Sequence, residues 1–219
     1  MGRERFEDGS GPDSNAAMLL DEYLPAFDAT QVEHRIVDAD PETTYDATLD
    51  ANLLDLGPIV RLLGTLRAAP QVLADRLRDR PRTAPPERMR FADVPETDEW
   101  TLLAESPGEE YVFGAVGKFW QPSIQWRAVD ADGFTAFDEP GYAKLAIGLS
   151  VRPYGDHRTL LSYEARTATT SESARRSFRR YWRVISPFAG YLMRRALARI
   201  EADAERLANR TTRRPSRRR

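Results

Sequence analysis

Between Gln31 and Val37 the chain alternates, with Val32, His34 and Ile36 pointing one way and Gln31, Glu33, Arg35 and Val37 the other, which is the two-residue period of a strand. His34 keeps company with the apolar pair and is expected to face inward. Upstream, Met18 to Phe27 (MLLDEYLPAF) gathers apolar residues at 18, 19, 20, 23 and 24 before Pro25, and this suits a short helical turn packed on a core. Downstream, Asp40-Pro41-Glu42-Thr43 reads as a helix start: Asp40 is an N-cap, Pro41 has its φ preset at the first helical position, and Glu42 meets the positive end of the helix dipole. One helix is predicted from Pro41 to about Leu49. A second starts near Gly57-Pro58, with Ile59, Leu62, Leu63 and Leu66 at helical spacing, and continues past Pro70 through Val72, Leu73 and Leu77. Residues 80–99 are Pro-rich and polar and predict a long surface connection.

From Trp100 the period changes. Trp100 to Glu105, Tyr111 to Gly117, Ile124 to Val129, Phe134 to Phe137, Ala143 to Val151 and Thr159 to Thr167 are β-rich stretches of strand length. Turn-like segments separate them, among them Ser106-Pro107-Gly108-Glu109, Asp130 to Gly133, Glu139-Pro140-Gly141 and Tyr154-Gly155-Asp156. Connections this short join antiparallel neighbours. The last long segment, Ser171 to Ala208, places Phe178, Trp182, Ile185, Ala189, Leu192, Met193, Ala196 and Ile200 at spacings of three and four, one apolar face of a helix that Pro187 should bend or split after Ser186. The order predicts an α+β helix-grip fold. A curved antiparallel sheet of about six or seven strands wraps around the long C-terminal helix and covers its apolar face, and short helices follow the first strand.

Three groups of residues resemble the SRPBCC or START-like superfamily, the Bet v 1-like proteins, polyketide cyclases and lipid-transfer relatives, and within it a set of uncharacterised bacterial proteins. They are YLPAFDATQVEHRIVDADPETTYDATLDANL near the start, GKFWQP and FDEPGYAKLAIGLSVRP in the middle, and LLSYEARTATTSESARRSFRRYWRVISPFAGYLMRRALARI at the end, spanning about residues 19–201. The resemblance implies an internal cavity between sheet and last helix, suited to a hydrophobic ligand. It also implies an alternative, a polyketide cyclase or dehydratase acting in the same cavity, which would need two ionisable groups converging there. None of these segments is a catalytic signature.

Composition narrows the chemistry. The chain has 219 residues, 41% hydrophobic and 30% charged, with four Trp, eight Tyr and nine Phe, enough apolar surface for a core. A single domain over 18–208 is expected, with a polar leader at 1–17 and an Arg-rich tail at 209–219, both read as disordered. There is no cysteine, which excludes a disulfide framework, a thiolate metal site and a Cys nucleophile. His34 and His157 are the sole histidines, too few for a His-rich metal cage. Neither GxGxxG nor GxxxxGK[ST] occurs, so nucleotide binding has no support, and neither metal nor cofactor is expected. No run approaches the ~18 apolar residues of a membrane helix, and the first seventeen residues lack a signal-peptide core, which reads as a cytoplasmic protein. The ends differ in charge: residues 1–50 hold three basic and thirteen acidic side chains, residues 170–219 fifteen basic and four acidic. The tail is read as solvated, touching an anionic surface weakly at most, with no specific nucleic-acid partner.

The aromatics are the richest set of candidates. Trp120, Trp126, Tyr142, Tyr163, Phe178 and Trp182, with the strand residues Leu145, Ile147 and Leu149, are the expected ligand-binding positions, because Tyr and Trp pair a large apolar body with a hydrogen-bonding tip. Alternation assigns Leu145, Ile147, Leu149 and Val151, then Leu161, Tyr163 and Ala165, then Ile124 and Trp126, to the concave side. Ser162, Glu164 and Arg166 fall on the opposite face, where Glu33 and Arg35 are expected to pair with them across the ladder. Lys144 is expected to snorkel at a strand end, and Arg175, Arg176, Arg179 and Arg180 to form a solvated helix face. The predicted function is binding or transport of a small hydrophobic or amphipathic molecule. Catalytic residues and oligomeric state are not legible.

Overall fold

The computed structural model describes residues 18–55 and 88–212. The leader at 1–17, the helix expected from Gly57 to Leu77, the first part of the 80–99 connection and residues 213–219 of the tail lie outside the described residues.

Strand β1 (Ala29–Val37) follows the short helix α1 (Leu19–Tyr23) and leads to α2 (Pro41–Asp50). The α2 start is built as its residues dictate: the Asp40 carboxylate accepts from the Thr43 N–H at 2.9 Å, with Pro41 in the first turn. Two 3-10 turns, Leu53–Asp55 and Phe91–Glu96, flank the undescribed stretch. Then come β2 (Thr101–Ser106), β3 (Glu110–Gly117), β4 (Trp126–Arg127), helix α3 (Ala131–Ala136), β5 (Ala143–Tyr154), β6 (Arg158–Thr169) and the long α4 (Glu172–Thr212). The six strands are antiparallel throughout, in the order β1-β6-β5-β3-β2, with β4 added to the end of β3. Helix α4 packs across β1, β6 and α2. This is the expected helix-grip arrangement.

Register decides which side chains share a face, because residues directly opposite in a ladder point the same way. Leu145 faces Thr167, Ile147 faces Ala165 and Leu149 faces Tyr163, so these residues form one continuous concave surface beneath α4. The same rule corrects the expectation for β1. Glu33 lies opposite Tyr163 and Arg35 opposite Leu161, so both face the helix, where Glu33 pairs with Arg194 at 2.6 Å and Arg35 with Glu201. His34, opposite Ser162, points outward with Val32 and Ile36, and its Nδ1 lies 2.8 Å from the Ser162 hydroxyl. At an edge strand the alternation gives two faces without saying which is buried. Here the helix reaches over the polar one and satisfies it with charges of its own.

Two further elements differ from expectation. Phe134 to Phe137 is not a strand: Asp130 accepts from the Gly133 N–H at 2.7 Å and caps α3, whose Phe134 is fully buried. Within the stretch read as Ile124 to Val129, only Trp126 and Arg127 pair, with Gly117 and Val116 of β3. Helix α4 runs unbroken through Pro187 and on to Thr212. The carbonyl that loses its partner at Pro187 belongs to Arg183, which is exposed, so water can replace the missing N–H.

The core has two layers. Between the concave face, α2 and the C-terminal half of α4, Phe91, Phe113, Leu149, Leu161, Leu197 and Ile200 are almost wholly buried. On the outer face, α1 and α3 cover the sheet, enclosing Leu20, Leu103, Val112, Val116, Phe134 and Tyr142. Hence every residue of β3 is buried, and its sequence EYVFGAVG runs nearly without polar interruption. Gly114 is required by this layering, since a Cβ there would stand 2.8 Å from the Phe134 ring and 2.9 Å from Leu103.

Candidate functional site

The interface between sheet and α4 closes at one end and opens at the other. Around Leu197 and Ile200 it is packed solid. Towards the N-terminal half of α4 a cleft of about 440 Å³ remains, floored by Leu145, Ile147, Tyr163 and Ala165 and roofed by Phe178, Trp182, Ile185, Ala189 and Leu192. Trp100, Phe119 and Trp126 form its side wall through linked ring contacts, Trp100 to Trp126 at 6.4 Å and Phe119 to Trp126 at 5.8 Å, edge-on. Phe178 and Trp182 stack at 5.7 Å and 21° on the helix. Trp126, Tyr181 and Trp182 are half-buried, so the cleft communicates with solvent.

Its polarity is low. Among the described residues the lining holds no carboxylate, imidazole, amine or guanidinium, and its polar atoms are the hydroxyls of Tyr163, Thr167 and Tyr181 and the indole N–H groups. Tyr163 is 6% exposed, its ring edge-on to Phe91 at 5.9 Å. Burial alone pushes its phenol well above the ordinary tyrosine value, because no neighbouring group stabilises the charge. It is therefore a neutral donor and acceptor on an apolar floor.

Six of the expected positions line this cleft: Trp126, Leu145, Ile147, Tyr163, Phe178 and Trp182. Leu149 lies on the same face but further along, sealed in the closed core. Tyr142 immediately precedes β5 and is three residues from Leu145, an odd number, and so belongs to the other face. It is buried there against Phe137, with Lys118 Nζ 4.5 Å and Arg127 Cζ 4.6 Å from its ring centroid. Trp120 borders a separate hollow of about 190 Å³ with Gly141 and Ser173 at the start of α4. Trp100, Phe119 and Thr167 also line the cleft and are not among the positions expected from the sequence. Thr167 was available, as the next alternate residue after Ala165, whereas the two aromatics enter from strand ends whose direction only the folded sheet fixes.

The other ionisable candidates stand away from the cleft. Arg166 and Glu164 are on the outer face, where Arg166 bonds Glu164 and Asp21, both at 2.6 Å, and the Leu24 carbonyl at 3.2 Å. Lys144 is on that face too, donating to the Thr135 carbonyl at 3.1 Å, and burial lowers its pKa. A second hollow of about 450 Å³, between α2 and the end of α4, is polar and internally matched: Arg88 pairs with Asp50 at 2.8 Å, and Arg199 and Arg206 both pair with Asp203.

No family model matches the chain, and no curated protein matches it. Similar solved structures include protein CV1439 from Chromobacterium violaceum, 16% identical over 80% of this chain and 96% of that one, with a TM-score of 0.37. Protein MLL2253 from Mesorhizobium loti is 12% identical over 81% of this chain and 98% of that one, at 0.36. The Zhui aromatase/cyclase from Streptomyces sp. R1128 is 12% identical over 81% and 94%, at 0.30. The fold assignment rests on the strand order and register described above.

Proposed function

We propose that this protein binds a small, uncharged hydrophobic or amphipathic molecule in the cleft between the sheet and α4. The observation that carries the proposal is an apolar, aromatic-walled space of about 440 Å³, within the roughly 300–1,000 Å³ of small-molecule sites, left in a helix–sheet interface that is otherwise packed. A charged ligand would enter without a counter-charge among the described lining residues, at a desolvation cost of several kcal/mol. A neutral one with a single carbonyl or hydroxyl finds a partner in Tyr163. The cyclase or dehydratase alternative needs an acid–base pair in the cleft, and the described lining supplies none.

The reading is tested with N-phenyl-1-naphthylamine, a neutral probe that fluoresces when transferred out of water. Wild-type protein should bind it saturably, and Ala165→Trp, which fills the floor of the cleft, should abolish binding while the protein stays folded by circular dichroism. Undiminished probe binding by a folded Ala165→Trp variant would remove the cleft as the site. Native mass spectrometry of protein purified without detergent gives a second readout, the mass of any molecule carried along.

A further inference from the structure

Beside the mouth of the cleft, α4 carries an exposed ridge that the packing of the sheet does not use. Residues four apart stack along one side of a helix, so Arg176, Arg180, Val184 and Phe188 form a continuous row. Both arginines are exposed, and Val184 and Phe188 are 65% and 46% exposed, the former the most exposed large apolar side chain among the described residues. The adjoining row holds Tyr181 and Ile185, which line the cleft, so apolar surface runs unbroken from solvent into the site. On the far side of the ridge stand Arg179 and Arg183, also exposed.

The charges here are not matched internally. Residues 172–184 contain five arginines and one glutamate. Glu172 is engaged by Arg175 at 3.3 Å and Arg176 at 3.7 Å, and Arg175 also reaches Asp28 at 2.7 Å. Arg179, Arg180 and Arg183 have no carboxylate partner among the described residues. Unpaired cations flanking exposed valine and phenylalanine on a helix suit the boundary of an anionic bilayer, where the apolar side chains enter the acyl region and the guanidinium groups meet lipid phosphates. A protein partner is the weaker fit, because a stable complex needs ~800 Å² of complementary surface from each side. Two apolar side chains on a convex ridge offer little of that, whereas a membrane requires no shape match.

We infer that the Arg180–Phe188 ridge of α4 docks on an anionic lipid bilayer and turns the mouth of the cleft towards it. Docking does not depend on what the cleft binds. The route it opens, from bilayer to cleft without crossing water, does rest on the proposed ligand class.

The test is co-sedimentation of the full chain with vesicles of phosphatidylcholine alone or mixed equally with phosphatidylglycerol. Binding is expected only to the mixed vesicles at about 0.1 M salt and should be lost near 1 M, where the screening length falls from roughly 10 to 3 Å. Arg180→Gln/Arg183→Gln should lower partitioning about 25-fold, at roughly fivefold per arginine. Val184→Ser/Phe188→Ser should lower it roughly tenfold or more. Because these side chains face solvent, both variants should keep the wild-type melting temperature and naphthylamine binding. Four results would each overturn the inference: equal binding to neutral vesicles, undiminished partitioning of the ridge variants, loss of binding only when residues 213–219 are deleted, or a ridge substitution that changes the oligomeric state in place of vesicle binding.

Discussion

Tyr163 shows how one residue can divide its parts between stability and ligand, the ring packed in the core and the hydroxyl left to the cleft. Its hydroxyl faces the open cleft, where no described residue bonds it and it is not sealed from the cleft, so water can satisfy it until a ligand does. Tyr163→Phe is therefore expected to change stability by less than about 1 kcal/mol in a denaturant titration. The same change should weaken a ligand that offers a carbonyl by about three- to tenfold, a net ~0.5–1.5 kcal/mol for one hydrogen bond, and leave naphthylamine binding unchanged. Gly114 illustrates the reverse, a position fixed by packing alone. Gly114→Ala would push its Cβ onto Phe134, Leu103 and the Leu145 carbonyl at 3.1 Å, the last of which is backbone and cannot swing away. A loss of about 1–3 kcal/mol is expected, read as a lower urea midpoint with the slope unchanged. Residue type alone pointed equally to Tyr142 and Tyr163. What separates them is position in the alternation, which places Tyr163 opposite Leu149 on the concave side and Tyr142 on the other.

Among the elements, those with strong local signals formed where the sequence placed them. Asp40 and Pro41 fix the start of α2 through one side-chain hydrogen bond and one preset dihedral angle, neither needing tertiary help. The Thr43 N–H holds the Asp40 carboxyl below its usual 3.8. Because the folded value is the lower one, the stabilisation is complete above about pH 4 and disappears as pH falls through the folded pKa. Asp40→Ala should cost ~1 kcal/mol at neutral pH, and the difference from wild type should shrink on acidification through that range. Helix α3 differs from the expected strand because Phe134 and Phe137 have strand-like composition, while the Asp130 cap acts on backbone geometry that β propensity does not weigh. Helix α1 depends on distant partners: Arg166 reaches Asp21 and the Leu24 carbonyl from β6, and Glu110 accepts from the Leu19 N–H at 2.7 Å. Arg166→Met would leave Glu164, only 15% exposed, without its cation. A loss of about 3 kcal/mol is expected, with amide exchange in 19–23 accelerated ahead of the sheet.

At the scale of the whole molecule, function follows from uneven packing along one interface. The closed end should carry stability and the open end binding. Leu197→Ala, in the solid core, is expected to cost about 3–4 kcal/mol and leave probe affinity within twofold. Trp182→Ala, on the cleft roof, should cost far less and abolish probe binding. Equal losses of stability at the two sites would mean that the cleft collapses in solution. The sequence by itself determined the α+β class, the antiparallel run, the α2 cap and the apolar stripe of α4. These depend on periods of two and 3.6 residues and on contacts within one turn, which the chain carries locally. Only the tertiary structure decided that Glu33 and Arg35 face the helix, that α1 and α3 bury the outer side of the sheet, and that space is left beneath Trp182 but none beneath Leu197. The physical reason is that periodicity divides a strand into two faces without stating what lies over either, and a cavity is a difference between volumes contributed by elements far apart in the chain.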